Sequence, residues 1–501
     1  MLTRLQISGF KNLVNVDVRF GPFTCIAGPN GVGKSNLFDA ILFVSALTDR
    51  TLAEAALSVR SESERTGDIQ GIFHRVGNSR DERMRFEADM ILPPIGVDEL
   101  GQPVEGSSTF VRYSLVLGLR PENSPDREAG ALELIEESLV PLRLTDAPQH
   151  LLFPHSMEWR KSVLKGRHTA KFISTEGEDA QRTIRLHQDG RSGRLFKRPA
   201  TSLRRTLLST VQAGEYPTAM LVRREMQSWR MLHLESSALR RPDPFTAPTK
   251  MTPEGAHLPA ALNQLSRHDG NGANGNGHSD GAKETAVLAN VANRLAELIE
   301  DVREVRVDRD ETRQLFTVQI TTRDGTIHPA SALSDGTLRF LALAVTEFDR
   351  QSGGVLCFEE PENGIHPRRI HSMLRLLQDI ATDTDSPVDE DNPLRQVIIN
   401  THSPSVVLQT PEDSLLIAEL VEGVRATSNQ GNKPPVRFRQ LLFSCLEGNW
   451  RQKVKGQRIT GKGNLLAYLN PSAAERDSDV AKKRVMDRND LQMLLMFPSG
   501  A

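Results

Sequence analysis

The stretch Gly28-Pro29-Asn30-Gly31-Val32-Gly33-Lys34-Ser35 constrains this chain more than any other: it has the spacing Gly, four residues, Gly-Lys-Ser, between an apolar run and a helical pattern. Before it, Phe23-Thr24-Cys25-Ile26-Ala27 has the β-branched and apolar content of a buried strand; after it, Leu37, Ile41, Leu42 and Val44 recur at helical spacing. The glycines therefore sit at a strand-to-helix turn, where residues without a Cβ let the backbone bend with its N–H groups inward. The helix N-terminus behind them adds partial positive charge. That cradle suits a triphosphate, with Lys34 reaching the β and γ phosphates and the Ser35 hydroxyl a ligand of Mg2+. The competing reading is a glycine-rich turn that matches the spacing by chance, and the strand–loop–helix context argues against it.

At 501 residues the chain has room for two or three domains, or for one with a large insertion. Its 62 Lys and Arg nearly balance 64 Asp and Glu, so only local clusters could mark nucleic acid or a membrane as a partner. Cys25, Cys357 and Cys445 are far apart, and two of them lie in strand-like apolar runs. Buried thiols are expected rather than a disulfide or a metal site, which fits a reducing compartment. No apolar run approaches the roughly 18 residues needed to cross a membrane, so the chain reads as cytoplasmic without membrane contact.

Residues 2–7 and 14–20 alternate as two paired strands around Ser8-Gly9-Phe10-Lys11-Asn12. Strand patterns recur at 84–92, 110–119, 132–142 and 184–187, helical patterns at 203–211 and 218–229, and a strand at 229–234. Between 157 and 206 there are 13 basic residues against 5 acidic, a footprint that suits either a solvated face or phosphates, though aromatic residues for base stacking are scarce. Residues 266–283 are rich in Gly, Asn, Asp and Ser and cannot bury enough apolar surface to offset ordering, so a flexible loop is expected. A helix over 286–299 and strands over 302–307 and 315–321 follow.

Chemistry resumes at Leu333-Ser334-Asp335-Gly336-Thr337, a serine-capped start to a strongly helical run. Next comes Gly354-Val355-Leu356-Cys357-Phe358-Glu359-Glu360-Pro361-Glu362, an apolar strand ending in carboxylates, which are costly there unless they face a cation or solvent. A further apolar strand, Gln396 to Asn400, delivers Thr401-His402-Ser403-Pro404. The opening Leu-x-Ile-x-Gly-Phe-Lys-Asn with Gly-Pro-Asn-Gly-x-Gly-Lys-Ser-Asn, followed in order by these elements, resembles the ABC-type ATPases of the SMC and RecF group. More narrowly it resembles OLD-like AAA family ATPases, with Glu-Glu-Pro-Glu-Asn-Gly-Ile-His-Pro and Thr-His-Ser-Pro at strand ends. The likeness covers residues 1–43 and 333–407 and leaves the middle third largely uncovered.

The resemblance implies an α/β fold, a P-loop ABC-type head with a mixed sheet, an N-terminal β-rich lobe and a large inserted α+β region. It implies ATP and Mg2+ as cofactors, with Asn30, Gly31, Val32, Gly33, Lys34, Ser35 and Asn36 holding the nucleotide. Glu360 matches the glutamate that orients or deprotonates the attacking water, and His402 the switch histidine at the γ phosphate. Glu359 stands where an aspartate usually supports Mg2+, and Gln70, in Ile69-Gln70-Gly71, is a candidate metal-sensing glutamine that could equally be a solvated surface residue. Ser334 and Gly336 match a signature that contacts the nucleotide of a second protomer, although Asp335 and Thr337 depart from its Leu-Ser-Gly-Gly-Gln form. Two copies would then sandwich two nucleotides.

The expected organisation is a split ATPase core, 1–47 and 330–425, an insert over 48–329, and a basic interaction tail over 426–501. Just before that tail, Leu420-Val421-Glu422-Gly423 resembles the start of a Toprim nuclease domain without the aspartate that should follow, and within it Asp477-Ser478-Asp479 lacks a preceding apolar strand. The apolar end at 491–497 suits a protein contact. The leading expectation is a homodimer or higher homo-oligomer whose nucleotide state controls an effector, a nuclease or toxin, in antiviral defence. A RecF-like DNA-binding repair ATPase and a weakly hydrolysing assembly scaffold are the alternatives.

Overall fold

In the computed structural model, β1 (Leu2–Ser8) and β2 (Val16–Arg19) pair antiparallel with Ile7 opposite Val16. The wholly buried β3 (Phe23–Ala27) then runs into α1 (Lys34–Ala46). The structure describes residues 1–461 apart from 60–68, 78, 121–130, 167–168, 179–180, 190–195, 269–279, 350–352 and 426–435, and beyond them only 463 and 469.

Alternating patterns give β4 (Arg83–Ile91), β5 (Phe110–Leu119), β6 (Leu132–Pro141), β7 (Ile173–Glu176), β8 (Thr183–Leu186) and β9 (Phe196–Pro199). With the first two strands they form an eight-stranded antiparallel sheet in the order β9-β8-β7-β6-β5-β4-β1-β2. This is the β-rich lobe. The helix expected at 203–211 does not form beyond a short turn at Leu208–Thr210. The reason is that the Leu207 and Leu208 amides donate to the buried Glu137 carboxylate at 2.7 and 3.0 Å instead of to a helical ladder.

The chain continues through α2 (Pro217–Gln227), β10 (Arg230–Leu232), α3 (Leu258–His268), α4 (Asp280–Leu298), the hairpin β11 (Val302–Asp310) and β12 (Leu315–Thr322), and α5 (Asp335–Phe348). The described ends of the stretch expected to be a loop, 266–268 and 280–283, are thus helical; its centre lies outside the described residues. After α5 come β13 (Gly354–Glu359), α6 (Ile370–Ile380), β14 (Arg395–Thr401), β15 (Leu415–Arg425), β16 (Val436–Cys445) and β17 (Arg458–Ile459).

The second sheet has the order β10-β13-β14-β3-β15-β16-β17, and its first five strands are parallel. Parallel strands are covered on both faces, which is why β3, β13 and β14 read as continuous apolar runs. The inserted segment contributes β10 to this sheet, and the sheet runs past residue 425, because β16 pairs antiparallel along β15. Leu420–Gly423 is consequently part of this sheet, and the pair at Asp477 and Asp479 lies outside the described residues. Residues 1–459 form one compact unit; the second, Thr460–Ala501, is almost wholly outside the described residues. Helix α1 is locked to the β-rich lobe by Phe10, Phe43 and Phe86, with ring centroids 5.5–5.8 Å apart. All three cysteines are buried and free.

Glu137 also makes stability depend on pH. It accepts from the Tyr113 hydroxyl at 3.0 Å, and burial pushes its carboxyl up to about 7. A carboxyl raised above its unfolded value stabilises fully below about pH 4.5 and loses that contribution as pH rises through about 7. Between about pH 5 and 8, wild type should therefore lose about 3 kcal/mol relative to Glu137→Gln, read by urea unfolding; parallel pH profiles would contradict a carboxyl that titrates in this range.

Candidate nucleotide-binding site

The loop after β3 closes on itself through Lys34, whose Nζ donates to the carbonyls of Gly28 at 2.7 Å and Pro29 at 2.9 Å. Gly31 and Gly33 take φ of 77° and 96°, a region that favours glycine, and Gly33 caps α1 without a side-chain hydrogen bond. The turn after β1 braces the loop: Asn12 Nδ2 donates to the Val32 carbonyl and Asn36 Nδ2 to Asn12 Oδ1, both at 2.9 Å. A Cβ on Gly33 would stand 2.1 Å from Asn12 Nδ2. Gly33→Ala should therefore weaken binding of a fluorescent ATP analogue by roughly tenfold or more, since non-glycine strain of this kind is worth about 1–3 kcal/mol. Unchanged affinity would show that the loop tolerates the added atom.

Strands β13 and β14 lie on one side of β3, so their carboxyl ends open beside the loop. Lys11, Asn30, Gly31, Gly33, Lys34, Ser35, Asn36, Asp39, His233, Glu359, Glu360, Asn363 and Asn400 line a cleft of ≈ 590 Å³ there. That size falls in the ~300–1,000 Å³ range of small-molecule sites. Burial lowers the Lys34 ammonium, opposed by the charges of Glu360, Glu362 and Glu359.

Glu360 is held in the left-handed region, φ 46°, by its own amide donating to the Asn400 carbonyl at 3.0 Å. Its Oε1 meets His402 Nδ1 at 2.6 Å and its Oε2 accepts from Asn363 Nδ2 at 2.8 Å. Glu359 lies opposite Asn400 in the ladder, with Asn400 Nδ2 3.5 Å from its Oε1. Behind them Glu362 is buried: Oε1 accepts from the Thr401 hydroxyl at 2.5 Å, Oε2 is a buried atom without a hydrogen-bond partner, and burial raises its carboxyl.

The structure thus gathers Asn30, Gly31, Gly33, Lys34, Ser35, Asn36, Glu359 and Glu360 at one cleft, with His402 attached through Glu360 and Val32 buried in the loop. Gln70, Ser334 and Gly336 are not among the cleft's lining. Gln70 Oε1 accepts from Arg80, and Ser334 caps α5 by accepting from the Thr337 amide at 3.2 Å. Asp335 accepts from Arg240 Nη2 at 2.5 Å, a bond that holds its carboxyl low.

Five lining residues had no role from the sequence. Lys11 Nζ donates to Asp39 Oδ2 at 2.7 Å, and its backbone, at φ 45°, is held by the Ile72 carbonyl and by His74 Nδ1. Lys11, Asn363 and Asn400 lie within or beside quoted motifs, where a signal existed; Asp39 and His233 carried none. A triphosphate with a divalent cation fits the residues present: a cradle whose glycine cannot take a Cβ, a buried lysine within it, and carboxylates facing that lysine. Among the described residues no helix is long and apolar enough to cross a membrane.

The mixed sheet, with the phosphate-type loop between β3 and α1, fits a P-loop head of ABC type. The family described as "RecF/RecN/SMC N terminal domain" matches residues 1–83, and "AAA domain, putative AbiEii toxin, Type IV TA system" matches 230–408. The "DNA replication and repair protein RecF" of Phocaeicola vulgatus is 35% identical over 65 residues, 13% of this chain and 18% of that protein. The "OLD nuclease" of Thermus scotoductus is 49% identical over 41 residues, 8% of each. The chain therefore spans less than a fifth of the length of either relative. A solved structure titled "Crystal structure of the SmcHead bound to the C-winged helix domain of ScpA" covers 89% of this chain and 98% of its own, at 14% identity and a TM-score of 0.43, too slight a likeness to carry an argument. The family matches show that residues 1–83 and 230–408 are similar to SMC, RecF and OLD-like ATPases.

Proposed function

We propose that this protein binds and hydrolyses ATP, dimerises around the nucleotide, and uses that cycle to control a partner effector. The observation that carries the reading is the meeting of Lys34 and Ser35 with Glu359 and Glu360 at one cleft, although Lys34 and Glu359 are 325 positions apart in the sequence. Ser334 and Gly336, outside that lining, are left to serve the nucleotide of a second copy. Ser35 and Glu359 would hold Mg2+, with Gln70 as a further candidate, and the ion would neutralise charge on the β and γ phosphates. Lys34 and the loop amides bind the phosphates. Glu360 takes the proton of the attacking water on a carboxylate oxygen, and His402, through its bond to Oε1, fixes that carboxylate's orientation.

Control of a nuclease or toxin in antiviral defence is supported by the AbiEii toxin named in the matching family and by the OLD nuclease relative. The RecF relatives support a second reading, a repair ATPase bound to DNA. Lys34→Ala should weaken ATP binding about a hundredfold or more and abolish ATP-dependent assembly, measured by equilibrium dialysis and light scattering. Retained binding would sink the site. Turnover raised severalfold by duplex DNA would favour the repair reading over effector control.

A further inference from the structure

The start of α5 and the turn after β13 lie against each other. A Cβ on Gly336 would stand 3.5 Å from the Gly364 oxygen, and one on Gly364, at φ 78°, would stand 3.6 Å from Arg339 Nη1. The contact is bonded as well as packed: Arg339 Nη1 donates to the Asn363 carbonyl, while its Nε is a buried donor without a hydrogen-bond partner.

Asn363 carries that contact into the site. Its amide donates to the Glu360 carbonyl at 3.0 Å and its Nδ2 to Glu360 Oε2 at 2.8 Å, so the turn closes on the carboxylate it follows. Glu360 is thereby held from two sides: by His402 at Oε1, from the end of β14, and by Asn363 at Oε2, whose peptide Arg339 of α5 grips. Arg240 ties down the same helix start, donating to the Leu333 carbonyl at 2.9 Å and to Asp335. From Ser334, which caps the helix, to Arg339, the first turns of α5 form one bonded unit, and a rigid element of this kind passes a displacement at one end to the other.

We propose that Arg339 is a positioning residue for Glu360, and that through it the turn at Ser334–Gly336 governs hydrolysis in its own copy. Seating a second copy's nucleotide against that turn fixes the start of α5. Arg339 then holds the Asn363 peptide, and Asn363 keeps the Glu360 carboxylate in its bonded orientation. With the turn unengaged, α5 is free to shift and Glu360 is oriented by His402 alone, so a lone copy binds ATP and hydrolyses it slowly. This rests on the ATPase reading above.

Steady-state turnover, equilibrium dialysis with ATP and light scattering of the full chain test it, with melting curves checking that each variant folds. Arg339→Ala should lower kcat about tenfold and leave KM, ATP affinity and ATP-dependent assembly within about twofold, because the phosphate loop is untouched. Arg339→Lys, which keeps a donor, should recover most of the loss. Asn363→Ala should cost as much as Arg339→Ala, and the double variant little more than either, since both act on one carboxylate. At saturating ATP, wild-type turnover per chain should rise with protein concentration as pairs form, and Arg339→Ala should flatten that rise. An unchanged kcat in Arg339→Ala, losses that multiply in the double variant, or a parallel loss of affinity or assembly overturns the positioning role; if Arg339→Ala does not fold, Arg339→Gln is held to the same criteria. A flat wild type, or an undiminished rise in the variant, overturns the coupling alone. If wild type turns over no ATP, the ATPase reading fails and takes this inference with it, whereas wild-type turnover matched by Arg339→Ala removes only Arg339.

Discussion

Glu360→Gln should lower ATP turnover by about 10²–10⁴-fold while ATP still binds, and the ATP-bound protein should accumulate as a dimer or larger assembly. The substitution removes the carboxylate proposed to accept the water's proton and keeps the size of a side chain that packs between His402 Nδ1 and Asn363 Nδ2, at 2.6 and 2.8 Å. The loop, Lys34 and Ser35 are untouched, so binding survives. Phosphate release and light scattering with and without ATP measure the two halves. A variant that turns over like wild type removes Glu360 from the chemistry; one that is inactive yet stays monomeric with ATP removes the joint grip of two copies.

Arg451→Ala should destabilise the protein by about 3–5 kcal/mol. Arg451 is wholly buried, and burial lowers its guanidinium to about 9. It donates to the Arg19 carbonyl at 2.9 Å, the Asp413 carbonyl at 2.7 Å and the Thr24 hydroxyl at 3.4 Å, and lies 4.1 Å over the Trp450 ring. One side chain thus ties β2 of the β-rich lobe and β3 of the parallel sheet to the segment before β15. Truncation leaves a void and takes a donor from the Arg19 and Asp413 carbonyls, the second of which keeps Trp450 Nε1 at 2.9 Å. Urea unfolding of both proteins measures the difference, and a loss under about 1 kcal/mol would mean that water takes over the arginine's bonds.

The legible parts of this sequence are those where local chemistry and spacing coincide. The loop from Gly28 to Ser35 announces itself because phosphate binding demands small residues at fixed offsets, and β3, β13 and β14 because strands covered on both faces must be apolar throughout. Helix 203–211 misled because its amides find the Glu137 carboxylate, a partner on another strand that no window of sequence displays. Lys11 lies inside a quoted motif, but its place at the cleft depends on a left-handed backbone held by Ile72 and His74. Arg451 read as one cation in a basic run, yet it is fully buried, since its partners are carbonyls of β2 and of the segment before β15. The run of positive charge between 157 and 206 is partly matched by acids across the sheet, as where Arg185 pairs with Glu176 at 2.5 Å.

The pairing of Ile26 with Asn400 sets a schedule for synthesis. At about 5–20 residues per second, β3 waits on the order of 20–80 s on the ribosome before β14 emerges to cover one of its edges. During that interval an apolar strand and a fully formed phosphate-loop sequence travel without their sheet. Newly made chains should therefore be most vulnerable to aggregation before β14 is translated, and chaperones that hold exposed strands should raise yield more than any change made to the finished protein's surface.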